Sequence, residues 1–118
     1  MDIYEWVDRV IGRKGGGRES WLVLRDIWKD FIECDGVKVP IEGGFRGFRE
    51  VPPGKHTLKN YGVTLEVDLQ PGEVQVHILK SQEKEFIRMS KEDDDFGFHE
   101  LAKAGAMDGA LRPWPSSG

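Results

Sequence analysis

Three histidines and one cysteine, His56, His77, His99 and Cys34, are the side chains of this sequence best suited to metal binding or nucleophilic chemistry. A protein metal site usually shows ligands at short spacings, such as two histidines four residues apart on a helix. The histidines are 21 and 22 positions apart, so the sequence predicts neither a metal site nor a cofactor. A lone cysteine becomes a nucleophile only beside a base, and in a strand it is more often a packing residue.

Other motifs that could bind ions or phosphate are incomplete. The glycine runs at 15–17 and 43–44 lack the Lys-Ser or Lys-Thr pair that follows a phosphate-binding loop. The acidic run at 92–95 lacks the alternating ligands and the fixed glycine of a calcium loop, so we predict a solvated loop there. Without a catalytic constellation, the sequence predicts a protein that is not an enzyme.

Composition excludes two classes of partner. A net charge of −4 argues against nucleic-acid binding, which depends on a concentrated positive surface. The longest apolar run, at 21–24, is far shorter than the roughly 20 residues that cross a bilayer. With a single cysteine, no internal disulfide is expected, and with no signal-like start we expect a cytoplasmic protein.

Residues 1–11 are predicted to form a helix that residues 12–20 tether to the rest of the chain. Apolar side chains recur at helical spacing through residues 1–11, namely at Ile3, Trp6, Val7, Val10 and Ile11. The glycine-rich residues 12–20 are typical of a flexible linker. The helix either packs on its own domain or docks on another protein, which makes Trp6 and Val10 candidate interaction residues.

Residues 21–90 change to a period of two, with turn residues at close intervals, and this pattern predicts a mainly β domain. Asp35-Gly36 suits a type I′ hairpin, and further turns are predicted at 52–54, 60–62 and 70–72. We predict an antiparallel β-sandwich or open barrel of about seven or eight short strands. In the strand near residue 76, Val74, Val76 and Ile78 are expected to face the interior and His77 the solvent.

Residues 91–118 are predicted to hold the acidic loop, a weak helix and a tail. The helix would span 96–107, with Phe98, Leu101, Ala102 and Gly105 on its inner side. Trp114, between two prolines, is a third candidate interaction residue, since its side chain could fill a groove of this chain or of a partner.

The turn motifs resemble a known family. Residues 45–56 combine a Phe-x-Gly motif with Pro-Pro-Gly-x-His, residues 71–74 read Pro-Gly-Glu-Val, and residues 111–115 read Leu-Arg-Pro-Trp-Pro. In this order the motifs resemble the N-terminal β domain of the Aar-two type family, the A-one cistron splicing factors, which chaperone assembly of a spliceosomal particle. Lys55 and Thr57 depart from the family pattern, and its long helical domain has no counterpart in these 118 residues.

The resemblance implies a β-sandwich that binds proteins, with structural roles for eight motif residues: Phe45, Gly47, Pro52, Pro53, Gly54, His56, Pro71 and Gly72. Together, the motifs and the missing catalytic constellation predict a non-enzymatic module for protein binding, self-association or assembly. The alternative is a β-sandwich that binds a small ligand or a carbohydrate on a face that presents aromatic side chains, with His56 or His77 as polar contacts. A concave pocket lined by two tryptophans would favour it.

Overall fold

A computed structural model describes residues 19–115, most of which lie in two packed β-sheets. The nine strands are β1 (Ser20–Arg25), β2 (Phe31–Cys34), β3 (Val37–Pro40), β4 (Gly47–Val51), β5 (Gly54–Asn60), β6 (Val63–Leu69), β7 (Val74–Lys80), β8 (Glu85–Met89) and β9 (Leu111–Pro113). A short helix, α1 (Phe98–Lys103), and a 3-10 helix (Asp108–Ala110) complete the described chain. The predicted mainly β sandwich is confirmed. The predicted helix at 1–11, with Trp6 and Val10, lies outside the described residues.

The two sheets are built differently. The four-stranded sheet has the order β3-β2-β5-β6, and all its neighbours are antiparallel. The five-stranded sheet has the order β8-β7-β1-β4-β9, in which β1 runs parallel to β7 and β4 parallel to β9. Parallel pairing joins strands that are distant in sequence, so short connections alone could not reveal it.

Two predicted hairpin turns are confirmed by their backbone angles. Asp35 and Gly36, between β2 and β3, have φ values of 50° and 87°. Tyr61 and Gly62, between β5 and β6, have φ values of 54° and 73°. Positive φ at both central residues is the mark of a type I′ turn, whose twist matches that of the flanking strands.

The turns at 52–54 and 70–72 carry the chain from one sheet to the other. Pro52 and Pro53 separate β4 of the five-stranded sheet from β5 of the four-stranded sheet. Proline has no backbone N–H and cannot continue a ladder, so the pair ends β4 and allows the change of sheet. At the second turn, which includes Pro71 and Gly72, the Glu73 N–H donates to the Gln70 carbonyl over 3.0 Å.

A continuous core lies between the sheets. Its buried side chains come from both layers: Leu22, Leu24, Ile32, Cys34, Phe48, Val51, Leu58, Leu65, Val67 and Leu69. Strand β6 alternates between buried and exposed residues along its whole length, as its sequence predicts.

A second core covers the opposite face of the five-stranded sheet, where Val23, Val74, Val76 and Leu111 pack with Ala102 of α1. Val74 and Val76 are therefore buried under α1 and not between the sheets. In the β1/β7 register His77 lies beside Leu24, a residue of the core between the sheets. The prediction that His77 faces solvent is wrong, because both faces of β7 are covered.

The C-terminal part differs from its prediction in two ways. Helix α1 has six residues, and although Ala102 is buried as expected, Leu101 and Gly105 are exposed. Residues 111–113, predicted to belong to a tail, form β9 and extend the sandwich past residue 90. No helix within residues 19–115 is long and apolar enough to cross a membrane.

Candidate functional site

The three histidines lie in three separate environments. His56 is on β5, His77 is inside the sandwich on β7, and His99 is on α1. Within the part of the chain that the structure describes, no three His, Cys, Asp or Glu side chains come together in a group that could hold a metal ion.

His56 ties two turns together. Its Nδ1 lies 2.6 Å from Asp35 Oδ2, and its Nε2 lies 2.6 Å from the Pro52 carbonyl oxygen. Asp35 Oδ1 also accepts the Thr57 N–H over 2.8 Å. Burial alone would raise the pKa of Asp35, but the hydrogen bonds from His56 and Thr57 hold it below its usual value of 3.8. Both ring nitrogens of His56 are therefore occupied by contacts that build the fold.

Trp114 occupies a groove of its own chain. Its ring packs edge-on against Phe48 at a centroid distance of 5.1 Å and lies 4.8 Å from the ring of His56. Its backbone N–H donates to the Arg49 carbonyl over 2.9 Å. Of the two locations that the sequence left open for this side chain, the structure shows the intramolecular one.

Gly47 is required where β4 pairs with β1. Its φ is 141°, and a Cβ placed on it would lie 2.1 Å from the Leu22 carbonyl oxygen. A real side chain cannot approach backbone so closely, so this position admits glycine alone. Phe45 packs against the core and contacts Phe48 edge-on at 5.3 Å.

Comparison with known proteins adds no family to these observations, because no family model matches the chain and no curated protein matches it significantly. The resemblance to the splicing-factor family stays a prediction. The motif residues that carry it, such as Gly47 and His56, make the fold-building contacts described above.

Cys34 is a packing residue. Its side chain is buried in the core between the sheets. Burial, with a smaller contribution from the negative charge of Asp35, raises the pKa of the Cys34 thiol to about 12. At neutral pH the thiolate is scarce and shielded from reagents, so the position offers no nucleophile.

We expect Cys34 to react with an aromatic disulfide reagent at pH 8 at least about 100-fold more slowly in the native protein than in denaturant, because attack requires the thiolate and access to it. Stopped-flow absorbance measures both rates on one sample. A matched cysteine at an exposed strand position, Thr64→Cys, provides the control and should react rapidly without denaturant. Native Cys34 reacting as fast as the control would contradict this assignment.

The acidic run contains a residue that is not solvated. The Asp94 side chain is 2% exposed, and its Oδ2 lies 2.7 Å from His99 Nδ1 and accepts the His99 backbone N–H over 2.8 Å. Burial alone would raise the pKa of Asp94, but the hydrogen bonds from His99 and Phe98 lower it below 3.8. The prediction of a wholly solvated loop is therefore wrong at Asp94, which fixes the start of α1.

His99 also lines a cavity of about 580 Å³ between the turn before β7, the end of β8 and α1. The charged residues that line it are Glu73, Arg88, Lys91, Glu100 and Lys103. The cavity lies on the helix-covered side of the five-stranded sheet, where Val74 and Met89 form its apolar floor.

A stacked aromatic pair, Trp28 and Tyr61, projects from one end of the four-stranded sheet. The ring centroids are 4.5 Å apart and the planes meet at 28°. Trp28 is 52% exposed and Tyr61 is 48% exposed. Most large aromatic residues are substantially buried in folded domains, so two adjacent rings with half of their surface in water mark a surface suited to contact.

Asn60 fixes the position of the aromatic pair. Its buried side chain accepts the Trp28 N–H at Oδ1 over 2.8 Å, and its Nδ2 donates to the carbonyls of Trp28 and Phe31 over 3.1 Å and 3.0 Å. These bonds hold the loop between β1 and β2 against the β5/β6 turn. The pair is consequently presented by rigid backbone on both sides.

The backbone at Tyr61 points to a role for its ring. The first central position of a type I′ turn favours Asn, Asp or Gly, and a bulky residue there costs of order 1 kcal/mol or more. Tyr61 nevertheless has a φ of 54°. The sequence predicts this turn but not the stacking of Trp28 on Tyr61. The aromatic residue at a type I′ position was the one feature of the sequence that pointed to a role for this ring.

Proposed function

We propose that this chain is a non-enzymatic protein-interaction module and that the aromatic pair, Trp28 and Tyr61, is its contact surface. The observation that carries the proposal is the half-exposed stack held rigid by Asn60. Tryptophan and tyrosine dominate the binding energy of protein interfaces, because they bury a large area and lose little conformational freedom. A rigid pair therefore binds with a small entropic cost.

The size of the neighbouring cavity supports a protein partner. About 230 Å³ lies beside the pair, lined by Trp28, Phe31 and Tyr61, with Asp30, Glu33 and Lys59 also at its walls. Small-molecule sites usually measure about 300–1,000 Å³, so this cavity is better suited to one side chain of a partner. We infer a partner that inserts an apolar side chain there and pairs polar groups with the charged rim.

The roles of His56, His77 and the cysteine support a module without catalysis. His56 is hydrogen-bonded within the fold at both ring nitrogens, and His77 lies inside the sandwich. Cys34 is buried with a raised pKa. None of His56, His77 and Cys34 is among the described residues that line the cavity beside the aromatic pair.

Trp28→Ala and Tyr61→Ala are each expected to weaken partner binding by about 30-fold, the effect of removing an interface residue worth about 2 kcal/mol. Partners captured from extracts of the native host with the wild-type chain would be purified, and their affinity for each variant measured by titration calorimetry. Circular dichroism and the melting temperature check that the fold is retained.

Phe96→Ala is the matched control, because Phe96 is 60% exposed but belongs to the segment before α1. It should bind the partner as the wild type does. Equal loss with Phe96→Ala, or full binding by Trp28→Ala, would refute the proposed surface. Light scattering of the wild type and Trp28→Ala tests whether the partner is a second copy of this chain.

The predicted helix at 1–11 supplies a second candidate contact through Trp6 and Val10. Changing both to polar residues is expected to abolish capture or self-association while the β signal in circular dichroism stays intact. Loss of the fold instead would assign the two side chains to the core of the domain.

A further inference from the structure

The cavity between β8 and α1 has the dimensions and the charge of a small-ligand site. Its volume of about 580 Å³ falls within the usual range for bound metabolites, about 300–1,000 Å³. It lies on the five-stranded sheet, whereas the aromatic pair lies at the four-stranded sheet. Any ligand here would therefore be independent of the proposed protein contact.

The cationic side chains of the cavity differ in their contacts within residues 19–115. Arg88 donates to Glu73 Oε2 over 3.0 Å, and Glu73 Oε1 accepts the Gln70 N–H over 2.8 Å. Among the ion pairs of residues 19–115, by contrast, neither Lys91 nor Lys103 takes part. The residues that line the cavity include three cationic and two acidic ones, so their charge sums to +1 before His99 is counted.

His99 adds a fixed donor. Its Nδ1 contacts the Asp94 carboxylate, and the His99 ring, which is 8% exposed, lines the cavity. Among the hydrogen bonds of the described residues, His99 Nε2 has no partner. Asp94 Oδ1 is likewise buried without a hydrogen-bond partner among the described residues. A buried carboxylate is normally compensated by hydrogen-bond donors or a cation, and the His99 ring is the side chain in contact with Asp94.

We propose that this cavity binds a small oxyanion, such as a phosphate- or sulfate-bearing metabolite, through His99 Nε2 and the ammonium groups of Lys91 and Lys103. An oxyanion accepts hydrogen bonds only, so it binds the ring with a proton on each nitrogen, one directed to Asp94 and one to the ligand. The lysines contribute mobile point charges around this fixed donor.

The test is a sulfate titration of the full chain followed by amide chemical shifts at constant ionic strength. We expect saturable shifts at residues lining the cavity. The double variant Lys91→Gln/Lys103→Gln should weaken binding about 10-fold or more, since each surface charge lost costs a few-fold in affinity. Lys38→Gln/Lys55→Gln, which removes two charges from the four-stranded sheet, should leave the affinity unchanged.

A variant that is expected to bind sulfate more tightly cannot owe its effect to damage of the fold, so it complements the variants that weaken binding. Glu100 is exposed on α1 at the cavity wall, so Glu100→Gln removes repulsion and should tighten sulfate binding about threefold. Absence of saturable shifts up to 50 mM sulfate, or equal weakening by both double variants, would overturn the proposal. Trp28→Ala should bind sulfate as the wild type does, which separates this site from the protein-contact surface.

Discussion

Gly47→Ala is expected to lower the free energy of unfolding by about 3–5 kcal/mol, a large part of the total stability of a typical domain, which is about 5–15 kcal/mol. The added Cβ would lie 2.1 Å from the Leu22 carbonyl oxygen and 2.9 Å from Val23 Cα. Both obstacles are backbone atoms of β1, the central strand of the five-stranded sheet. Relief would require β1 and β4 to separate, and urea denaturation followed by tryptophan fluorescence measures the loss.

Gly54→Ala separates the contribution of close approach from that of backbone strain. Gly54 has a φ of 118°, also in the region that favours glycine, but a Cβ added there would meet no atom within 4 Å beyond its chain neighbours. We expect this variant to lose only about 1–2 kcal/mol. If both variants were equally destabilised, the β1/β4 contact would not be the cause.

The free energy of unfolding is expected to fall by about 3 kcal/mol through His77 alone as pH falls from 6.5 to 4. Burial, reinforced by the positive charge of Arg88 and opposed by Glu73, lowers the pKa of His77 from 6.5 to about 4. Between these values the unfolded chain binds a proton at His77 that the folded chain does not. The contribution of His77 to the free energy of unfolding is therefore present above pH 6.5 and is lost as the pH falls toward 4.

His77→Gln provides the comparison, because glutamine does not titrate and can still bond to Gln75, whose Oε1 lies 2.9 Å from His77 Nε2. Chemical denaturation at half-unit steps from pH 7.5 to 4 gives the two stability curves. Their difference should shrink or reverse toward pH 4 by about 3 kcal/mol. Parallel curves would mean that His77 is protonated equally in the folded and unfolded chains. Carboxylates with lowered pKa values, such as Asp94, act at lower pH and in both proteins.

Local patterns predicted the part of the fold that depends on local interactions. The alternation of β6 and the turns at Asp35-Gly36 and Tyr61-Gly62 follow from one buried face and from allowed backbone angles. Strand β7 does not follow that rule, because α1 covers its second face and Gln75 and His77 point between the sheets. Because both faces of β7 are covered, its residues do not alternate between buried and exposed.

The candidate sites depend on contacts between distant residues, which explains why the sequence did not indicate them. Trp28 and Tyr61 are 33 positions apart and meet only because Asn60 binds the loop after β1. In the acidic run, four neighbouring carboxylates look alike, yet Asp94 alone among them is buried. Its partner, His99, is five residues further along and reaches it through the turn that begins α1.

The distribution of strands between the sheets implies an order of assembly. The four-stranded sheet comes from residues 31–69, interrupted only by β4, and contains both type I′ hairpins, so its loops close over short distances. The five-stranded sheet takes strands from residues 20–25, 47–51, 74–80, 85–89 and 111–113, and its parallel pairs span long loops. Because long loops close slowly, we expect the four-stranded sheet to form first during synthesis, with β4 left as an open edge until residue 113 has emerged.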